Sequence, residues 1–113
     1  MIPGRCTGTA LVYSGRPDPQ WKIENQSLQG LKKIWEELPP SRTPPPRPPL
    51  LGYRGCWVQC PSGEQWLAYA GIVALKLGAG RSRYRLDKDR RFERAALETA
   101  PPKRLPEEFR IPQ

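Results

Sequence analysis

The sequence predicts a small α+β protein, a compact antiparallel sheet with two helices on one face. Three observations carry that expectation. Apolar and aromatic side chains concentrate between Tyr53 and Leu77, around the turn-forming Pro61-Ser62-Gly63, and this stretch reads as a hairpin that seeds the core. Leu28, Leu31, Ile34, Trp35 and Leu38 recur at spacings of three and four, the signature of a helix with one apolar stripe. Phe92, Ala95, Ala96 and Thr99 repeat that periodicity shortly before Pro101-Pro102. The resulting order is β-α-β-β-β-α.

Taken in order, Gly8 to Ser14 alternate weakly and read as a strand, stopped by Pro17-Asp18-Pro19 because proline lacks a donor and restricts the residue before it. Trp21 and Ile23 read as apolar plugs folding back over the core. Asn25 or Ser27 can cap the first helix, which faces water with Gln29, Lys32, Lys33, Glu36 and Glu37 and ends at Pro39-Pro40. Tyr53 to Cys60 form the outgoing strand of the hairpin and Gln65 to Leu75 its return, with Gly63 taking the positive φ of the turn. Gly78-Ala79-Gly80 marks another turn, Ser82 to Leu86 a further strand, and Asp87 or Asp89 the cap of a helix running to about Thr99. The predicted organisation is one domain over residues 1–100, interrupted by a proline-rich segment at 39–51 and followed by an irregular tail at 101–113.

Seven of the eleven residues from Pro39 to Pro49 are proline. Such a run favours an extended polyproline II segment with no internal hydrogen bonds, rising about 3.1 Å per residue. Within it Arg42, Pro45 and Pro48 satisfy the RxxPxxP spacing that SH3-like grooves read, with Arg47 adding a second cation. The same residues also suit a stiff linker packed along its own domain, against Trp35 or Tyr53.

The chain of 113 residues carries 19 Lys and Arg against 11 Asp and Glu, a net charge of +8 that favours acidic partners. Lys76 to Arg94 holds eight basic residues against three acidic ones. Arg81, Arg83 and Arg85 alternate on one strand, and Arg90, Arg91 and Arg94 can extend their patch, which points to nucleic-acid phosphates as an alternative partner, with Tyr53, Trp57, Trp66 and Tyr69 as stacking faces or as core. No histidine is present, which removes Ser-His-Asp, Cys-His and His-bearing zinc arrangements, and no metal site or cofactor is expected. Cys6, Cys56 and Cys60 read as free thiols of a reducing, cytoplasmic or nuclear setting, since three cannot all pair and Cys56 and Cys60 lie too far apart on one extended strand. No run approaches the roughly 18 apolar residues of a membrane span. The function expected from the sequence is therefore a non-catalytic interaction module or small subunit working through the proline arm and a basic face, with nucleic-acid binding through Arg81 to Arg94 as the alternative.

Overall fold

The computed structural model describes residues 5–12, 17–47, 52–78, 80–102 and 105. It is an α+β domain built on a six-stranded antiparallel sheet in the order β2-β1-β3-β4-β5-β6, formed by β1 (Cys6–Ala10), β2 (Gln20–Ile23), β3 (Cys56–Gln59), β4 (Glu64–Tyr69), β5 (Ile72–Leu77) and β6 (Ser82–Leu86). Helix α1 (Asn25–Glu37) links β2 to β3, and a short 3-10 turn (Lys88–Arg90) leads into α2 (Arg91–Glu98).

The fold class expected from the sequence is present, but the order β-α-β-β-β-α is short by two strands. Trp21 and Ile23 are buried plugs, as expected, yet they sit on a strand of their own, β2, which pairs Cys6 with Ile23 and Gly8 with Trp21. The return strand expected over 65–75 is two strands. Ala70 at φ 52° and Gly71 at φ 87° put two positive-φ residues between Tyr69 and Ile72, the backbone of a tight primed hairpin turn. An alanine hides that turn inside an apolar run. Gly63, at φ 100°, closes the β3–β4 turn as anticipated, its amide donating to the Cys60 carbonyl.

Strand register sorts the side chains into two faces. Ala10, Trp21, Ile23, Cys56, Val58, Trp66, Ala68, Val73 and Leu75 join Leu28, Leu31, Trp35 and Leu38 of α1 and Phe92, Ala96 and Leu97 of α2 in one buried cluster. Both helices therefore cover the same face. Burial of each large member contributes about 1.5–3 kcal/mol relative to exposure. Gly8 lets this layer close: a Cβ there would lie 2.6 Å from the Trp21 ring, whose indole Nε1 donates to Thr99 Oγ1 at 2.7 Å and ties the β2 edge to the end of α2.

Asp87 caps α2. Its carboxylate accepts from the amides of Phe92 (2.9 Å) and Glu93 (3.1 Å), satisfying donors that the first turn of a helix leaves open. Asp89 (φ 58°) and Arg90 (φ 54°) both adopt left-handed backbone on the way into α2, so the capping bonds offset local strain.

The cysteine reading is corrected here. Cys6 and Cys60 form a disulfide, and only Cys56 is a free, buried thiol. The β1–β3 register sets Thr7 opposite Gln59, so the next pair along brings Cys6 and Cys60 to a Cα separation of 4.2 Å, close enough to bond. Cys56 and Cys60 do not pair with each other, as their spacing on one strand required.

Candidate interaction surface

The sheet face opposite the helices carries Trp57, Leu67, Tyr69, Ile72, Ala74 and Tyr84, all half-buried, with Leu86 exposed at its edge. Register aligns them in rows across the strands: Trp57 beside Leu67 beside Ala74 beside Tyr84, and Tyr69 beside Ile72 beside Leu86. A strand alternating apolar with polar residues normally sends its polar set to this side. Here β4 sends Leu67 and Tyr69, and that departure marks the face.

The proline arm lies against it. After Leu38, the Pro39 carbonyl accepts from the Leu86 amide and the Ser41 amide donates to the Tyr84 carbonyl, both at 2.8 Å, so Pro40 bridges to Arg85 and covers the β6 edge. Covering an edge in this way removes a site of unpaired strand hydrogen bonding. Ser41 Oγ accepts from the Thr43 amide at 3.2 Å and donates to the Thr43 carbonyl at 2.9 Å, turning the chain. Pro45, Pro46 and Arg47 then wall a cleft of about 310 Å³ whose other wall is Arg54, Leu67 and Tyr69. The arm thus reaches from β6 to β4, past β5 between them. A second groove of about 250 Å³ shares Leu67 and adds Trp57, Gln65, Ala74, Lys76 and Ser82.

Segment 52–55 completes the cleft. Gly55 at φ 119° presses so close to β4 that a Cβ would lie 2.8 Å from the Ala68 carbonyl oxygen and 3.2 Å from Tyr69 Cβ. The Arg54 amide donates to the Leu11 carbonyl and the Leu11 amide to the Gly55 carbonyl, extending the β1–β3 ladder. Arg54 also pairs with Asp18 at 3.4 Å, and Asp18 holds the Val12 amide at 2.9 Å. Tyr53 and Tyr69 stand as a tilted aromatic pair with ring centroids 6.2 Å apart.

The arm residues singled out from sequence fall as follows. Arg42 and Arg47 are exposed, Pro45 is half-buried in the cleft wall, and Pro48 lies outside the described residues. The cleft that the arm lines is completed by Arg54, Leu67 and Tyr69 and not by Trp35 or Tyr53. The arginines of the basic segment do not act as one set. Arg81 and Arg83 are exposed, whereas Arg85 points to the helix side, where its guanidinium sits 4.4 Å from the Trp35 ring centroid and donates to the Trp35 carbonyl at 2.6 Å. Arg91 pairs with Glu37 at 3.0 Å. Both cations thus serve the C-terminal end of α1, whose open carbonyls favour positive charge. Arg90 and Arg94 are half-buried along α2. Of the four candidate stacking aromatics, Trp66 is core, Tyr53 is tied to α2, and Trp57 and Tyr69 remain on the helix-free face.

Two further clusters sit elsewhere. Tyr53 donates to Glu93 Oε2, while Glu93 Oε1 is buried with no partner among the described residues. Burial pushes the Glu93 carboxyl above its usual range, with the Tyr53 hydrogen bond and Arg90 opposing, and burial likewise raises Asp87. The Cys56 thiol and the Tyr53 hydroxyl are both driven upward, first by burial and then by Glu93. Burial is the first cause of the shift in all four groups, which suits a packing role. The Cys6–Cys60 bond lines a separate cleft of about 290 Å³ with Asn25, Leu28, Gln29, Lys32, Pro61 and Ser62. Among the described residues no group of three or more His, Cys, Asp or Glu side chains is arranged to hold a metal ion, and no helix is long and apolar enough to cross a membrane.

Comparison with family models, curated proteins and solved structures finds no match for this chain.

Proposed function

We propose that this protein is a non-catalytic protein-interaction module whose working surface is the helix-free sheet face together with the proline arm laid across it. The observation that carries the reading is the cleft in which Pro45 and Pro46 oppose Leu67 and Tyr69. An apolar floor, a proline wall and the exposed Arg47 beside it, with the exposed Arg42 earlier on the same arm, favour a partner that brings apolar surface and acidic charge together. In this reading the arm is an extended polyproline segment lying along the cleft. The Cys6–Cys60 bond favours an oxidising compartment over the reducing one that three free thiols would indicate.

A nucleic-acid reading retains one specific support, since Trp57 and Tyr69 share the helix-free face with Lys76. The two readings separate in one experiment. Proteins captured by the immobilised chain are compared with those captured by Leu67→Lys and by Arg81→Glu/Arg83→Glu, with and without nuclease. The module reading expects partners that survive nuclease, are lost with Leu67→Lys and are kept with the arginine pair changed. Partners that vanish with nuclease, and whose retention falls steeply with salt, support nucleic acid instead. Partners indifferent to Leu67→Lys overturn the module reading.

A further inference from the structure

We infer that the cleft between arm and sheet is a receptor for an extended proline-rich segment of a partner protein, for which the chain's own arm competes. This rests on the reading of the helix-free face as an interaction surface and names the ligand class that fits it. The chain's own segment shows the chemistry beside the floor: Pro45, half-buried, and Pro46 line the cleft with Leu67 and Tyr69. Polyproline segments dock on aromatic-lined grooves because their rigid backbone loses little entropy and their rings lie flat on aromatic faces. Tyr69 provides one such face on the cleft floor.

The arm fills this seat incompletely. The cleft bordered by the arm and the floor measures about 310 Å³, space that the arm does not occupy. Leu67 continues the floor into the Trp57 groove, so a ligand longer than the arm's contact gains a second aromatic. Among the described residues, the arm's hydrogen bonds are those of Pro39 and Ser41 to the β6 edge and of the Ser41–Thr43 turn, so residues 44–47 can move off the floor without breaking the sheet. A tethered occupant at an effective concentration on the order of 1 mM weakens a free competitor roughly tenfold when the arm's own intrinsic dissociation constant for the floor is about 100 µM.

The test uses a fluorescent peptide with the sequence Arg-Thr-Pro-Pro-Pro-Arg-Pro-Pro, read by anisotropy. The full chain is compared with a variant carrying Pro44→Gly, Pro45→Gly and Pro46→Gly, whose folding is checked by its thermal transition. The variant is expected to bind the peptide at least about tenfold more tightly than the unmodified chain, and adding Tyr69→Ala is expected to remove that gain. Absence of binding to the folded variant, equal binding to both chains, or equal binding of an alanine-for-proline peptide overturns the proposal. Concentration-dependent dimerisation through exchanged arms also overturns it, because the occupant is then a second copy. Should the variant fail to fold, amide shifts of the unmodified chain decide: the peptide must move Leu67 and Tyr69, and unmoved resonances refute the receptor. If the peptide fails while Leu67→Lys still strips partners, the ligand class is wrong and the module reading stands.

Discussion

Reducing the Cys6–Cys60 bond is the perturbation whose size follows most directly from the fold. The bond closes a loop with a sequence separation of 54. Confining an unfolded chain by a loop of that size removes about 14 cal/mol/K, or about 4 kcal/mol at 25 °C, as the chain-entropy account has it. That figure is an upper bound, because a reduced denatured chain is already partly compact. With a urea m-value of about 1.5 kcal/mol/M for a chain of this length, the unfolding midpoint of the Cys6→Ser/Cys60→Ser variant should fall by roughly 2–3 M. Thiol titration in denaturant provides the matching count: the oxidised chain should show one reactive thiol, Cys56, and the reduced chain three. Coincident midpoints for the two chains, or three thiols in the unreduced protein, would refute the pairing and with it the β1–β3 register that brings the two residues together.

Four other outcomes are expected. Gly55→Ala places a Cβ against the Ala68 carbonyl at a backbone angle that glycine alone adopts readily, and should cost about 3 kcal/mol in chemical denaturation. Arg85→Ala removes both the stacking on Trp35 and the bond to its carbonyl and should cost about 1–3 kcal/mol, whereas Arg81→Ala and Arg83→Ala should stay within about 0.5 kcal/mol. Glu93 is held above its ordinary value of 4.5 in the folded chain, so unfolding releases a proton and stability should fall as pH rises from there; Glu93→Gln should flatten that fall in a pH series of denaturation curves, leaving the contribution of the same sign from Asp87. Ala70→Gly should raise stability by up to about 1 kcal/mol, since the primed turn holds an L-residue in the left-handed region; a loss on thermal melting would show that the turn is read wrongly.

Much of the architecture was legible because local chemistry and tertiary packing agree. The spacing of Leu28, Leu31, Trp35 and Leu38 is the buried stripe of α1, and of the two candidate caps, Asp87 and Asp89, it is Asp87 whose carboxylate accepts from the first-turn amides. Strand β6 falls on Ser82 to Leu86 as its alternation indicated. What escaped depends on pairing between distant segments. Ala70 gives no turn signal without the β4–β5 register, Lys22 between Trp21 and Ile23 reads as a strand only once β1 lies beside it, and Cys6 meets Cys60 only through the β1–β3 ladder. Glu93 is fully buried beside Tyr53, forty residues away, a meeting that only the tertiary fold brings about.

The candidate surface was half visible. The proline run announced an arm, but its seat was hidden in the alternation of Gln65, Leu67 and Tyr69, which a hairpin with one wet face would have filled with polar residues. The arginines illustrate the opposite difficulty. Arg83 and Arg85 share a strand face as alternation required, yet Trp35 takes up Arg85, and sequence spacing carries no information about what a helix places over that strand.

The central claim, that the arm and the helix-free face form one surface, is tested most directly by nuclear Overhauser contacts in the unmodified chain. The account requires cross-peaks from the ring protons of Pro45 and Pro46 to the Leu67 methyls and the Tyr69 ring. Their absence, with the amides of Arg42 to Arg47 showing order parameters below about 0.6, would place the arm free in solution and contradict the account.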